Sequence, residues 1–156
     1  MRVEQVMAKN VVTCGPDDTV NDAARIMWEH DCGFVPIVEP GARPCVVGVV
    51  TDRDVCMAAY LRGRGLREIR IGDVMSTRVR SCRPADDVAT AEATMRESQI
   101  HRLPVVDEGG LLLGVISLAD IAREASRVAR SRRHEVTAAE VGETLAAIRK
   151  PRAIAA

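Results

Sequence analysis

The sequence predicts an α/β (α+β) fold built from two copies of one β-α-β-β-α unit, packed sheet to sheet with pseudo-two-fold symmetry. Three observations lead to this prediction. The phrase GVVTDRDV at residues 48–55 returns as GVISLADI at residues 114–121. Short aliphatic segments are separated by loops that contain Gly, Pro and Asp. Helix-capping spacings stand before each apolar helical stripe.

The repeat runs through most of the chain. Matched positions lie 68 residues apart before the hairpin loops and 66 apart after them, because the loop EPGARP holds two extra residues. The matches include Val6-Met7 with Val74-Met75, Cys14 with Cys82, Val20 with Val88, Met27 with Met95, and VPIV with LPVV. We therefore divide the chain into a first copy (1–62), a linker (63–70), a second copy (71–125) and a basic stretch with a C-terminal helix (126–156).

Each copy begins with a short extended segment, at residues 11–13 in the first copy, that leads to a turn at a proline. A helix follows at about 20–30, where Thr19 and Asp22 have the spacing of a capping box. Asp87 is the matching cap in the second copy. The order of these signals predicts the first β-α step of the unit.

A strand with the pattern x-Pro-aliphatic-aliphatic comes next in both copies. A hairpin loop, EPGARP or DEGG, returns it into a second strand, VVGVV or LLGVI, and another helix begins at Thr51 or Ser117. Beyond the repeats, residues 137–140 form a further capping box before a helix with Val141, Leu145 and Ile148 on one face. We expect that helix to be docked or exposed, or to serve as a partner-binding or dimerising helix.

Composition excludes several classes of protein. Lys and Arg total 22, equal to Asp and Glu, which gives no electrostatic reason to expect a nucleic-acid partner. The five cysteines are odd in number and lack CxxC spacing, which argues against both a disulfide framework and a zinc ribbon. MRVEQVMAKN has no apolar segment typical of a signal peptide, and no apolar run reaches the ~20 residues of a membrane span. We therefore expect a cytoplasmic protein without membrane contact.

The repeated phrase has a purely structural interpretation. Thr51-x-x-Asp54 and Ser117-x-x-Asp120 have capping-box spacing, in which hydroxyl and carboxylate each accept a backbone N–H of the other residue. Such a cap stabilises a helix by about 0.5–2 kcal/mol. This role alone accounts for the spacing.

A binding role is the second interpretation. A helix N-terminus suits a phosphate, and the glycine three residues upstream allows another backbone to approach closely. Thr51 and Arg53 would then hold phosphate, while the Asp54 carboxylate would repel an anion and suits the two hydroxyls of a ribose. The apolar phrase GFVPIV offers a slot for a base. The phrase therefore has the groups that a nucleotide needs.

Taken together, the VM-x-x-x-V, x-P-V-V and GVVTDRD or GVISxxD motifs in two copies resemble tandem CBS (cystathionine β-synthase) domains, over about residues 3–125. The resemblance implies a stand-alone Bateman module, a regulatory sensor with up to two clefts between its repeats. Its usual ligands would be adenine nucleotides (AMP, ADP, ATP) or a related adenosyl compound such as S-adenosylmethionine or NAD. It also implies a homodimer in the form of a flat disc, signalling to a protein partner by a conformational shift.

Carried over by position, the resemblance assigns two nucleotide sites. The first comprises Val12, Gly33, Phe34, Val35, Pro36, Thr51, Arg53 and Asp54. The second comprises Arg80, His101, Arg102, Leu103, Pro104, Ser117 and Asp120. Ala119 stands where the first copy has Arg53, so the second site lacks one phosphate cation unless His101 or Arg102 replaces it. We expect the first site to bind more tightly.

Other functions have less support in the sequence. No nucleophile elbow or marked Cys/His pair indicates an enzyme, and no prosthetic group is implied. A metal site at His30 and Cys32 is disfavoured, because residues two apart at the end of a helix seldom face one ion. Two alternatives stay open: a ligand-free dimerisation or protein-interaction module in which both phrases are only helix caps, and a different ligand in the same clefts.

Overall fold

The computed structural model describes residues 1–129 and 137–150 and confirms the mixed α+β class. Two sheets of two strands each form, β1 with β2 and β3 with β4. In the described ranges, no helix combines the length and the hydropathy that a membrane crossing requires. The elements are α1 (Val20–Glu29), β1 (Phe34–Val38), β2 (Val46–Thr51), α2 (Asp52–Arg62), α3 (Val88–Ser98), β3 (Arg102–Val106), β4 (Leu112–Ser117), α4 (Leu118–Ala129) and α5 (Ala138–Ile148).

The extended segment that opens each copy contributes one bridging residue rather than a full strand. Cys14 pairs in parallel with Ile37, and Cys82 pairs in the same way with Val105. The N–H of Cys14 donates to the carbonyl of Pro36 at 3.3 Å, and its carbonyl accepts from Val38 at 2.9 Å. The next donor of this ladder would be residue 16, a proline without an N–H. The ladder therefore stops after one residue.

The chain forms two compact units that do not follow the sequence order. The α1/α2 unit consists of Asn10–Val79 and Val106–Leu112. The α3/α4 unit consists of Met1–Lys9, Arg80–Val105 and the described part of Leu113–Ala156. Each unit has its own hydrophobic core. The units are defined by spatial contacts, whereas the predicted copies are defined by repeated sequence. The boundaries of the copies therefore stay a prediction.

The predicted capping boxes begin the helices, with one exception. At α1, the N–H of Thr19 donates to Asp22 Oδ2 at 3.1 Å, and the N–H of Asp22 donates to Thr19 Oγ1 at 3.4 Å. Asp87 occupies the N-cap position of α3, but its side chain makes no capping hydrogen bond. Its carboxylate instead lies 3.5 Å from the guanidinium of Arg2. The prediction of a side-chain cap at Asp87 is therefore wrong.

Each unit packs a methionine against a glycine of its second strand. The Cβ of a residue other than glycine at 48 would lie 2.5 Å from Met75 Sδ, and at 114 it would lie 2.6 Å from the Ala8 carbonyl oxygen. The neighbouring backbones exchange pairs of hydrogen bonds: 3.0 Å between Val49 and Ser76, and 2.9 Å between Ala8 and Val115. The close backbone approach expected at these glycines is confirmed at Gly114, whereas at Gly48 the nearest atoms belong to the Met75 side chain.

Helix α5 packs on α3 and α4 within the α3/α4 unit. Ile148 belongs to the core of the unit, and Val141 packs against that core, as the predicted apolar face requires. Leu145 is 45% exposed, whereas Thr144 is fully buried. The Thr144 hydroxyl lies 3.2 Å from Glu92 Oε1 and accepts from Arg96 at 3.1 Å. The docked alternative for this helix is confirmed, and the face that docks is partly polar and leaves Leu145 half-exposed.

Candidate functional site

Both repeated phrases form capping boxes at the start of a helix. At α2, the N–H of Thr51 donates to Asp54 Oδ2 at 2.8 Å, and the N–H of Asp54 donates to Thr51 Oγ1 at 3.4 Å. At α4, the corresponding distances for Ser117 and Asp120 are 2.9 and 3.1 Å. Each hydroxyl also donates to its own aspartate, at 2.7 Å in α2 and 2.5 Å in α4. The capping role predicted from the spacing is confirmed for both phrases.

In the α1/α2 unit, the start of α2 lies beside the start of β1. Phe34 is the strand partner of Thr51, and the N–H of Asp52 donates to the Gly33 carbonyl at 3.4 Å. A Cβ on Gly33 would lie only 2.8 Å from Asp52 Oδ2, so a larger residue would displace that side chain. The fold therefore brings together Gly33, Phe34, Thr51 and Asp54 of the predicted first site.

The backbone N–H groups at the start of α2 already have acceptors. Asp52 donates to Gly33, Arg53 donates to Asp52 Oδ1 at 2.7 Å, and Asp54 donates to Thr51. A phosphate at this helix would consequently depend on the exposed guanidinium of Arg53 rather than on free backbone N–H groups. The Thr51 hydroxyl could donate to it only by turning its proton away from Asp54 Oδ2.

The α3/α4 unit repeats this arrangement with different side chains. The His101 carbonyl accepts from the N–H of Leu118 at 2.9 Å, which matches the bond between Gly33 and Asp52. His101 and Arg102 therefore lie next to Ser117 at the start of α4. Both are half-buried, and Arg102 is the first residue of β3. A basic residue pair thus takes the place of a glycine and an aromatic residue.

The remaining predicted residues divide into core and surface positions. Val35 and Leu103 are fully buried in the two cores, and Pro36 and Pro104 are also buried. A ligand would reach these four mainly through their backbone, and the two proline carbonyls already accept from Cys14 and Cys82. The surface positions are Val12, which is 41% exposed, and Arg80, which is exposed.

The two aspartates differ in what their second oxygen binds. Asp120 Oδ1 pairs with the guanidinium of Arg123, three residues along α4. Among the described residues, Asp54 Oδ1 has no such partner, and Met57 stands at the position that matches Arg123. Sequence reasoning missed Arg123, although an Asp–Arg pair at i, i+3 on a helix was a usable signal. The Asp54 carboxylate is therefore better placed to accept two hydroxyls.

The end of α5 adds a second basic residue near His101. Gln99 Nε2 donates to the Lys150 carbonyl at 3.0 Å, which fixes the last turn of α5 beside the loop before β3. Partial burial lowers the pKa of His101, and the positive charges of Arg149 and Arg102 lower it further. The imidazole is therefore neutral at pH 7. Sequence reasoning missed Arg149, because nothing local indicates where α5 docks.

In the described parts of the chain, no group of three or more His, Cys, Asp and Glu side chains has an arrangement that could hold a metal ion. The five cysteines form no disulfide; Cys14 and Cys82 are buried and Cys56 is exposed. Burial raises the pKa of the Cys14 thiol to about 11 and that of Cys82 to about 12. These two thiols are therefore core residues and not nucleophiles.

Comparison with known proteins agrees with the paired arrangement. The CBS domain family matches residues 3–60 and 71–127. The CBS domain-containing protein YhcV of Bacillus subtilis is 35% identical over 120 residues, which cover 77% of this chain and 82% of that protein.

Solved structures agree as well. The CBS domain protein TA0289 of Thermoplasma acidophilum superposes with a TM-score of 0.77 at 26% identity, covering 96% of this chain and 76% of that one. CBSX2, solved in complex with AMP, has a TM-score of 0.71 at 25% identity, covering 83% of this chain and 98% of that one. With two matched domains, two repeated capping phrases and these relatives, the chain belongs to the CBS domain family.

Proposed function

We propose that this CBS domain pair is a regulatory Bateman module that binds adenine nucleotides, AMP, ADP, ATP or a related adenosyl ligand, and is not an enzyme. The first site would use Thr51 and Arg53 for phosphate, Asp54 for ribose, and Gly33 and Phe34 near the base. The second would use Ser117, Asp120, His101 and Arg102. The AMP complex of the structural relative CBSX2 supports the ligand class.

The observation that carries this proposal is the second carboxylate oxygen of Asp54. One oxygen completes the helix cap, and the other has no partner among the described residues. A half-buried carboxylate oxygen with no donor is an acceptor for the vicinal hydroxyls of a ribose. Because the Asp120 oxygen is shared with Arg123, the first site is proposed to bind more tightly than the second.

Signalling would follow from a shift in conformational populations. A ligand that binds one arrangement of the chain more tightly than another favours that arrangement, and a partner that recognises it then responds. We further propose that the protein forms a homodimer, signals to a protein partner and acts in the cytoplasm, where adenine nucleotides are abundant. The proposal includes no prosthetic group.

Isothermal titration calorimetry with AMP, ADP, ATP and adenosine tests the proposal. Asp54→Ala and Asp120→Ala should each remove binding at one site and also lower stability by about 0.5–2 kcal/mol through loss of the cap. Asp22→Ala is the matched control, because its capping box with Thr19 has nearly the same hydrogen bonds and lies outside both sites. It should lower stability by a similar amount and leave nucleotide affinity unchanged.

Binding that persists in both site variants would contradict the residue assignment. A wild-type protein that binds none of these ligands at millimolar concentration would contradict the function itself. Tight binding of a compound that lacks adenosine would instead indicate a different ligand in the same place.

A protein-interaction module is the second candidate function, and exposed apolar side chains on two neighbouring helices favour it. Trp28 of α1 is 88% exposed, and Tyr60 and Leu61 of α2 are 78% and 71% exposed. Large apolar side chains exposed in this way are a feature of interaction surfaces. Trp28 is the only tryptophan, so tryptophan fluorescence reports on its surroundings alone. This alternative would be favoured if the Trp28 emission and the mass measured by light scattering both changed with protein concentration and did not respond to nucleotide.

A further inference from the structure

The second proposed site lacks a cationic side chain at the position where the first site has Arg53. Arg53 follows the Thr51 phrase in the first copy, whereas the matching residue of the second copy is Ala119. A phosphate bound at Ser117 would need a positive group from another element, because phosphate recognition depends on charge-assisted hydrogen bonds. The structure offers such a group at the end of α5.

Helix α5 is held on the α3/α4 unit at two places. Thr144 is fully buried and lies within hydrogen-bonding distance of Glu92 and Arg96 of α3. At the other end, the Gln99 side chain donates to the Lys150 carbonyl at 3.0 Å. Arg149, the C-cap of α5, is therefore fixed near the loop that carries His101.

The same loop is bonded to the start of α4. The His101 carbonyl accepts from the N–H of Leu118 at 2.9 Å, and Leu118 directly follows Ser117. The positive charges of Arg149 and Arg102 both lower the pKa of His101, which is consistent with both lying within electrostatic range of its ring. One short path thus connects the end of α5, the loop before β3 and the capping hydroxyl of α4.

This cluster of positive charge has no carboxylate counterion among the described residues. In the part of the chain that the structure describes, no carboxylate forms an ion pair with Arg102 or Arg149. The Asp120 carboxylate at the start of α4 pairs with Arg123 instead. A cation at a helix C-terminus is favourable by itself, which accounts for Arg149 but not for the unpaired guanidinium of Arg102. An anionic ligand would supply the missing charge.

We propose that Arg149, brought to the second site by α5, binds the phosphate groups of an adenine nucleotide together with Arg102 and so replaces Arg53 of the first site. This inference rests on the proposed function. It makes α5 a part of the second site and predicts that this site prefers ATP or ADP, which carry more negative charge, over AMP.

The test measures ATP, AMP and adenosine binding by calorimetry in the full chain carrying Asp54→Ala, so that only the second site reports. Arg149→Gln should weaken ATP binding about 10-fold or more, the usual range for a lost charge-assisted hydrogen bond, with a smaller loss for AMP and none for adenosine. Arg149→Lys should recover part of the loss. Lys150→Gln, which removes the same charge one residue further along, is the matched control and should leave ATP affinity nearly unchanged.

Unchanged ATP affinity in Arg149→Gln would overturn the inference while leaving the proposed function intact. The inference would also be overturned if adenosine binding fell by the same factor as ATP binding, because that would indicate a displaced helix. It would be overturned too if Lys150→Gln weakened ATP binding equally, because that would indicate a general effect of positive charge and not a specific contact. If the protein with both sites intact binds no nucleotide, the proposed function fails and this inference fails with it.

Discussion

Two glycines at matching places in the repeats should respond very differently to the same substitution. A methyl group on Gly114 would lie 2.6 Å from the Ala8 carbonyl oxygen, while one on Gly48 would first meet Met75 Sδ at 2.5 Å. Neither glycine has a positive φ, so alanine strains the backbone at neither position. Any difference between the two variants therefore comes from the neighbouring atoms.

The magnitude follows from what can move. The Ala8 carbonyl accepts from the N–H of Val115 at 2.9 Å, and the N–H of Ala8 donates to the Val115 carbonyl at 2.9 Å, so the backbone of Ala8 is held at both groups. Overpacking costs about 1–3 kcal/mol, and each weakened hydrogen bond adds about 0.5–1.5 kcal/mol. The Met75 side chain can instead change rotamer and leave the backbone in place. After about 0.4–1 kcal/mol is recovered through the less flexible unfolded chain, Gly114→Ala should lose roughly 1–5 kcal/mol and Gly48→Ala about 1 kcal/mol or less.

Urea unfolding followed by circular dichroism at fixed pH measures both changes in the free energy of unfolding. Gly142→Ala is the control, because it lies inside α5 with no atom within 4 Å of the added Cβ and should stabilise the protein by about 0.5–1 kcal/mol. Equal losses for Gly114→Ala and Gly48→Ala, or a larger loss for Gly48→Ala, would refute the reasoning.

Three further predictions follow from charges and burial. Burial raises the pKa of Glu92 above its ordinary value of 4.5, so ionisation of this carboxyl opposes folding. The free energy of unfolding should therefore fall as the pH rises from 4.5 through the raised pKa. Glu92→Gln should make the free energy of unfolding less dependent on pH, which urea unfolding at several pH values measures. A thiol reagent should label the exposed Cys56 quickly and Cys82, with its pKa near 12, only on unfolding; mass spectrometry of the labelled protein decides. Arg123→Ala should free the Asp120 carboxylate and raise nucleotide affinity at the second site up to about fivefold by calorimetry, and an unchanged or weaker affinity would contradict this.

The sequence was most informative where a feature depends on neighbours along the chain. Capping boxes at Thr19, Thr51 and Ser117 were predictable because the hydroxyl and the carboxylate lie three residues apart on one turn of helix. The two copies could be aligned because each strand and helix keeps its apolar pattern. Gly48 and Gly114 were expected to admit a close neighbour, although only the structure shows that a methionine segment fills each position.

Features that depend on distant parts of the chain were not predictable in the same way. The buried face of α5 includes Thr144 rather than Leu145, since its partners Glu92 and Arg96 lie about fifty residues earlier in the sequence. The position of Arg149 near the loop that carries His101 was missed for the same reason. Asp87 was expected to cap α3 because of its position before the helix. Arg2, which lies 85 residues earlier in the sequence, instead attracts its carboxylate.

The exchange of leading segments between the two copies has a consequence for the cut protein. Val3 lies in the core of the α3/α4 unit, and Ile71 lies in the core of the α1/α2 unit. A protease that cleaves in the exposed stretch at residues 63–65 would produce two fragments, each holding strands of one unit and an essential core residue of the other. Neither fragment could complete a core alone, so the two pieces should remain associated and should reconstitute when expressed separately. Each copy thus depends on a segment of the other to complete its fold.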